Sequence, residues 1–362
     1  MSWLRDALQA GLRLLPWPTE PGLRSSGNPG PLSPVIVTGN YDLTVRRVLQ
    51  ALEGTDAWVV VAPSGGINVW CAAAGGHLSA HHVVTALKTS GVEKRVRHRR
   101  AVLPQLAATG VEAREVSRRC GWTVRFGPVY AEDLPRYLAT GGEKTDDMRR
   151  VRFGWAERME MAASWATPSA LVVAALALWL KPEWALALVG LCVALAVSVF
   201  AVFDRLPGPR RVVFASGALT AVLACVALAG GGGGALTTAG VACVLLTGVL
   251  TFDYTGSTPI EGGSHFEERR WRVTLDPERC QGVFRCWEVC PEACFEKPEP
   301  GQERIVRMPH EERCVRCGAC IVQCPMDALA FQDANGDRIE PDVIRRYKLD
   351  LLGRRSLESG GS

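Results

Sequence analysis

Ser64-Gly65-Gly66-Ile67-Asn68-Val69-Trp70-Cys71-Ala72-Ala73-Ala74-Gly75-Gly76 follows the apolar run Ala57–Ala62 and precedes a helical pattern at Ser79–Thr89. Glycine pairs bracket a short helix-compatible stretch, with Asn68 as its N-cap. Working outward, Pro34–Thr38 reads as a strand and Leu43–Leu52 as an amphipathic helix. Downstream, Arg100–Leu103 is extended, Val111–Arg119 helical, Thr123–Tyr130 extended and Glu132–Ala139 helical. Such alternation predicts a largely parallel sheet layered with helices, a Rossmann-like α/β domain over residues 33–155. Residues 1–32, rich in Pro and Gly, read as a poorly regular lead-in. Sheets of this kind bind ligands beyond the carboxyl ends of their strands, and Ser64–His77 falls at such a crevice.

Cys71 sits in the first turn of the short helix, where a helix N-terminus favours the thiolate. A soft thiolate over the crevice could ligate a soft or borderline metal. The competing reading is a small buried apolar residue. His77, His81, His82 and His98 read as surface or packing residues, and no Asp-x-His-x-x-Gly pattern offers a histidine ligand.

Charge is unevenly distributed. Lys+Arg number 41 against 37 Asp+Glu, a net +4 that is too balanced for a nucleic-acid binder. Yet Met161–Leu180 and Trp184–Phe203 are each uncharged for 20 residues, and Val212–Phe252 for 41, broken by Gly230–Gly234. Since about 20 apolar residues cross a bilayer, four all-α transmembrane spans are expected over 160–253, near 162–180, 184–203, 212–229 and 235–252. A buried bundle of a soluble protein is the alternative. Arg149, Arg150, Arg152 and Arg158 precede the first span; Arg205, Arg210 and Arg211 lie between the second and third; Arg269, Arg270 and Arg272 follow the fourth. The other loops offer only Lys181 and glycines, so both flanks are expected on the cytoplasmic side of an inner membrane. Met1–Pro16 lacks a secretory signal pattern.

Eight of the 13 cysteines fall between Cys280 and Cys324. Cys314-x2-Cys317-x2-Cys320-x3-Cys324-Pro325 is a complete iron–sulfur ferredoxin run. The earlier run, Cys280-x5-Cys286-x3-Cys290-Pro291, carries Val283 where a second cysteine is expected. In two-cluster ferredoxins the last cysteine of each run serves the other cluster. Cys290, Cys314, Cys317 and Cys320 would therefore hold a complete [4Fe–4S] cluster. Cys280, Cys286 and Cys324 would hold a second, either [3Fe–4S] or [4Fe–4S] with a non-cysteine ligand. Cys294 follows the Cys-Pro turn and is not expected as the missing ligand. A zinc site competes, but one tight run followed by Pro is not the paired zinc pattern. An α+β two-cluster ferredoxin domain is expected over 265–335, then a tail over 336–362.

Asn68-Val69-Trp70-Cys71-Ala72-Ala73 resembles the cap-helix motif of the corrinoid protein of mercury methylation. Gly27-Asn28-Pro29, Ser33–Thr38, Asn40-Tyr41, Leu103–Leu106, Phe126–Tyr130, Met148–Phe153 and Asp253–Pro259 are similar too, covering roughly residues 20–260. The carboxy-terminal half resembles that protein's two-cluster ferredoxin partner, here joined in one chain. The resemblance implies a cobalamin-like corrinoid with Cys71 as lower axial cobalt ligand and catalytic residue, and Thr38, Asn68, Val69, Trp70, Ala72 and Gln105 as further cofactor-binding residues. It implies a membrane-bound methyltransferase whose cluster reduces the cobalt. The methyl group would come from a methyl-donor methyltransferase or methylated pterin, the electrons from an external reductant, and the acceptor would be Hg(II) or another soft electrophile.

Two departures qualify the match. Ala72-Ala73-Ala74-Gly75-Gly76 lacks the lysine of the family's Ala-Ala-Gly-Lys-Gly, and no cysteine follows Cys324, whereas the family carries a terminal pair thought to handle Hg(II). Poor Hg(II) methylation is therefore expected. The alternatives are a corrinoid iron–sulfur methyl carrier with another acceptor (a thiol, a metalloid or an acetyl-CoA-pathway-like partner) and a membrane-tethered electron-transfer ferredoxin.

Overall fold

A computed structural model describes residues 2–13, 15–152, 154–180, 182–202, 208–230, 232–243 and 271–347. The end of the fourth expected span, Lys181, Arg205, Arg269, Arg270, the Asp253–Pro259 segment and the end of the tail lie outside them. The chain divides into two compact units: residues 16–151 with 267–362, and residues 1–15 with 152–266.

In the first unit, β1 (Gly22–Ser26), β2 (Val35–Gly39), β3 (Ala57–Ala62), β4 (Arg100–Leu103) and β5 (Thr123–Phe126) form one sheet in the order β1-β3-β2-β4-β5. β2 runs parallel to β3 and β4, and β4 parallel to β5; β1 is antiparallel to β3. Both faces are covered. Val35, Val37 and Val60 pack on one side with Leu87 and Val116, while Ile36, Val59 and Val61 pack on the other with Val48 and Leu52. Alternate residues of a strand face opposite sides, so a doubly covered strand reads as a continuous apolar run. The amino-terminal sheet is Rossmann-like. From β2 the chain passes to β3 on one side, and then crosses to β4 on the other. The carboxyl ends of β2 and β4, at Asn40 and Gln105, therefore flank the switch point where such folds open a crevice.

Residues 1–32 are more regular than expected. They contain the helix Ser2–Gly11 and the edge strand β1. β1 pairs on one side only and reads Gly-Leu-Arg-Ser-Ser, without an apolar alternation to announce it.

The carboxy-terminal part of this unit has a small antiparallel sheet, β6 (Arg272–Leu275), β7 (Leu329–Gln332) and β8 (Arg338–Ile339). Two short helices, Arg285–Val289 and Ala319–Gln323, lie 34 residues apart, as do the pairs Cys280/Cys314, Cys286/Cys320 and Cys290/Cys324. The backbone repeats with them. Left-handed φ recurs at Gly282 (62°) and Arg316 (56°), at Phe284 (58°) and Gly318 (73°), and at Ala293 (50°) and Asp327 (52°). The described part of the expected tail contains β8 and the helix Pro341–Tyr347, which pack on the module through buried Ile339 and Ile344. Pro341 at the first helical position suits that start.

The second unit is helical. Trp155–Leu180 and Ala185–Val202 form an antiparallel hairpin, with the Arg158 guanidinium donating to the Phe200 carbonyl at 2.9 Å. Arg158, expected ahead of the first span, instead lies inside its helix and meets the partner helix's C-terminal carbonyls, where a cation is favoured. Two further helices span Gly208–Leu228 and Gly233–Cys243. Among the described residues, two helices are long and apolar enough to cross a membrane, Trp155–Trp179 and Pro182–Val202, and Ser216–Ala227 is a shorter apolar helix. Leu171, Leu178, Trp179 and Leu186 stand exposed on the long pair.

Candidate functional site

The segment after β3 folds as a short cap helix, Val69–Ala74. Asn68 caps it, its Oδ1 accepting from the Cys71 amide at 3.0 Å. The loop before it is clamped by Asn40, which the resemblance included without a role. Asn40 Oδ1, just past β2, accepts from the Ser64 and Gly66 amides (2.8 and 2.9 Å) and from the Ser64 hydroxyl (3.0 Å). Close backbone approaches fix the helix further. A Cβ at Gly66 would lie 2.5 Å from the Pro18 nitrogen, and one at Gly110 would lie 2.3 Å from the Ala73 carbonyl.

Helical periodicity divides the cap residues between two faces. Val69, Ala72 and Ala73 are buried, and Val69 and Ala72 pack in the sheet core. Their side chains pack in the core beneath the cap. Cys71 is exposed and in no disulfide. Thr38 Oγ1, near the end of β2, and Trp70 Nε1 are both buried without a hydrogen-bond partner. Buried polar atoms are rarely left so, and these two, one near the carboxyl end of β2 and one next to Cys71 on the cap helix, fit a site shaped for a large polar ligand. The donor set, one soft sulfur and two orphaned polar groups, is compatible with a corrinoid approaching from outside.

The histidines do other work. The His82 Nδ1 accepts from the Ser79 amide at 3.1 Å and completes a capping box. His98 meets the Ser33 carbonyl at 3.0 Å.

The cluster cysteines line two separate cavities. Cys280, Cys286 and Cys324 line one, together with Val283. Cys290, Cys314, Cys317 and Cys320 line the other, together with Cys294. These are the two sets the crossed ligation pattern predicts. The Cys294 amide donates to Cys290 Sγ at 3.3 Å, and its repeat-mate Ala328 donates to Cys324 Sγ at 3.4 Å. Cys294 thus faces the four-cysteine cavity and not the one with the missing ligand. No three described His, Cys, Asp or Glu side chains converge on a point fit for a single metal ion. A cubane instead spreads its thiolates over four irons, so the separated cysteines suit a cluster better than zinc. Burial pushes the Cys286 thiol up to about 12, and Cys317 and Cys320 well above the ordinary range. These thiols must give up protons to bind iron.

Gln105, expected at the cofactor, joins the sheet to the cluster module. Its Nε2 donates to the carbonyls of Arg149 (2.7 Å) and Cys290 (3.3 Å), and its Oε1 accepts from Lys144 Nζ at 2.9 Å. Lys144 also donates to the carbonyls of Glu288 (2.7 Å) and Gly127 (3.2 Å). Burial holds this lysine down at about 7; Glu288 opposes the shift, and Arg149 and Arg285 add to it. Arg149, read as a membrane flank, is buried over the Trp287 ring at 3.8 Å and donates to the Trp287 carbonyl at 2.7 Å. Gln323 repeats the device: its Nε2 donates to the carbonyls of Ala108 and Val111, both at 2.8 Å. The 3-10 turn Gln105–Thr109 therefore touches the cap helix on one side and the cluster helices on the other. Cys317 and Ala319 share the sheet's apolar core with Ala107 and Ala108. Neither Lys144 nor Gln323 carried a motif signal.

Residues 5–138 match the family model of the CO dehydrogenase/acetyl-CoA synthase delta subunit, and residues 308–330 match a 4Fe-4S binding domain. The chain is similar to acetyl-CoA decarbonylase/synthase complex subunit gamma of Methanopyrus kandleri, 36% identical over 129 residues, 35% of this chain and 28% of the relative. The same subunit of Archaeoglobus fulgidus is 36% identical over 125 residues (34% and 26%), and that of Methanocaldococcus jannaschii 31% over 131 (36% and 26%). The chain thus spans about a quarter of the length of these curated relatives, and the likeness lies in the sheet that carries the cap helix.

Proposed function

We propose that the chain is a corrinoid iron–sulfur methyl carrier, related in its sheet domain to subunits of acetyl-CoA decarbonylase/synthase complexes, with a built-in ferredoxin module as electron donor. The observation that carries this reading is the exposed Cys71 on a cap helix whose supporting turn, Gln105–Thr109, also holds the cluster module. A bound corrinoid would supply a cobalt centre that accepts and releases a methyl group and takes up electrons. Cys71 would ligate that cobalt, Asn68 would fix the thiol's helix, and Thr38 and Trp70 would offer their unpartnered polar atoms to the macrocycle. The Asn40 clamp would keep the glycine loop from yielding when the ligand binds. Cys290, Cys314, Cys317 and Cys320 would hold a [4Fe–4S] cluster, and Cys280, Cys286 and Cys324 a second, three-thiolate cluster.

The acceptor favoured by the comparisons is a protein partner of the acetyl-CoA type, with a separate methyl-donor protein or methylated pterin upstream and an external reductant. Hg(II) is the second reading. The cap sequence around Cys71 favours it, and the absence of any cysteine after Cys324 weighs against it. Anaerobic methyl transfer from the loaded protein to a panel of acceptors separates the two. Transfer to an acetyl-CoA-synthase-type partner, with poor transfer to Hg(II), supports the main reading. Robust Hg(II) methylation, with no gain from an added Cys-Cys tail, supports the second.

We also propose an inner-membrane location, the helical unit crossing the bilayer and both soluble segments facing the cytoplasm. Exposed apolar side chains on the two long helices support this. So does the union of residues 16–151 and 267–362 in one compact unit, which requires an even number of crossings between them.

A further inference from the structure

We infer that the three-thiolate cluster site is a ligand-binding site for a small anionic thiol, which reaches it through the groove between the sheet and the ferredoxin module. The inference rests on the cluster reading above. Val283 occupies the repeat position of Cys317, yet its side chain cannot ligate and is 48% exposed. Cys294, the one cysteine left over in the module, faces the other cavity. A [4Fe–4S] cubane held by Cys280, Cys286 and Cys324 keeps one iron without a protein thiolate; a [3Fe–4S] cluster there has no such iron and would overturn the inference.

That corner does not meet closed protein. Val283, Arg285, Cys324 and Pro325 line both the cluster cavity and an adjoining groove of about 290 Å³. The groove's far wall comes from the sheet domain, with Arg114 and Ser117 on the helix Ala113–Cys120 and Phe126 on β5. Its size suits a small molecule.

The lining defines the ligand's chemistry. The open iron prefers a soft donor, hence a thiolate. Two guanidiniums overlook the approach, and such groups recognise carboxylates in paired hydrogen bonds. Arg114 gives one N–H to Glu112 (3.3 Å) and one to the Pro325 carbonyl (3.4 Å), while Arg285 pairs with Glu288, leaving further donors on both. Binding would form one sulfur–iron bond at the corner that lacks a protein thiolate, any weak ligand held there and the thiol proton passing to solvent. No electron is transferred.

The test uses the full chain, anaerobically loaded with iron and sulfide in detergent and reduced with dithionite. Electron paramagnetic resonance follows titration with mercaptoacetate, with ethanethiol as the uncharged comparison. One of the two cluster signals should shift saturably, with mercaptoacetate half-saturating at about tenfold lower concentration than ethanethiol. Arg114→Ala and Arg285→Ala should narrow that gap, and Val283→Cys should abolish the shift while retaining eight irons in place of a labile number. Two intact clusters that ignore the thiol would overturn the inference and leave the cluster reading standing. A signal that changes in Glu112→Gln without added thiol would overturn it too, by making Glu112 the fourth ligand. Absence of clusters by iron analysis would remove both readings.

Discussion

The side-chain amide of Gln105 donates to the carbonyl of Cys290 at 3.3 Å, so the end of the central sheet and a cluster-ligand position share one hydrogen bond. With Gln323 bonding back to Ala108 and Val111, the connection is reciprocal. The cluster module and the cap helix thereby become neighbours through packed protein.

Gln105→Leu removes two donated bonds and one of the three acceptors of Lys144. Unpaired buried partners cost about 1–3 kcal/mol each. Chemical denaturation should register a loss in that range, and internal electron transfer from the four-cysteine cluster should slow. Unchanged stability would mean that the bonds drawn here do not hold the segments together.

Lys144 gives a pH dependence with a definite sign. Its unfolded value is 10.5 and its folded value about 7. Below the folded value both states are protonated, and the native protein bears the cost of an enclosed cation. As pH rises between the two values the unfolded state binds more protons, so stability increases. Relative to Lys144→Met, the wild type should gain on the order of 1 kcal/mol from about pH 6.5 to about pH 9, after allowance for solvent screening. A gap that stays flat, or widens the other way, contradicts the assignment.

Crossed ligation predicts an exchange of phenotypes. Cys290→Ser, in the first run, should damage the robust [4Fe–4S] signal, and Cys324→Ser, in the second, should damage the three-thiolate one. Iron analysis and low-temperature spectra distinguish them. Loss confined to the run that carries the substitution would refute the crossing.

Topology is equally open to trial. Reporter fusions at Lys181 and near Gly232 should report the outside, and one after Arg272 the inside. An outside signal after Arg272 would split the compact unit across a membrane.

Much of this was legible from residue pattern, because buried parallel strands announce themselves as apolar runs and cluster ligands as fixed spacings. Ala57–Ala62 and Arg100–Leu103 read to the residue. β1 did not, since an edge strand with one partner needs no alternation. The helix Pro341–Tyr347 was hidden as well, being too short to display a period. At the site, Asn68 and Cys71 declared themselves through cap chemistry, whereas Gln105, Lys144, Gln323 and Asn40 act through backbone carbonyls and amides brought close only by the fold. Arg149, counted among the charges ahead of the first span, is also buried, which charge counting does not reveal.

Whether Cys71 ligates cobalt in a corrinoid held by this chain is open to direct trial. The most direct measurement is the visible absorption spectrum of the anaerobically purified protein with its cobalt content, for wild type and Cys71→Ala side by side. Because the Cys71 side chain is exposed, the variant should fold normally. The wild type should contain cobalt, and its spectrum should change when the thiolate is removed. A cobalt-free wild type, or a cobalt spectrum identical in the two proteins, would contradict that ligation.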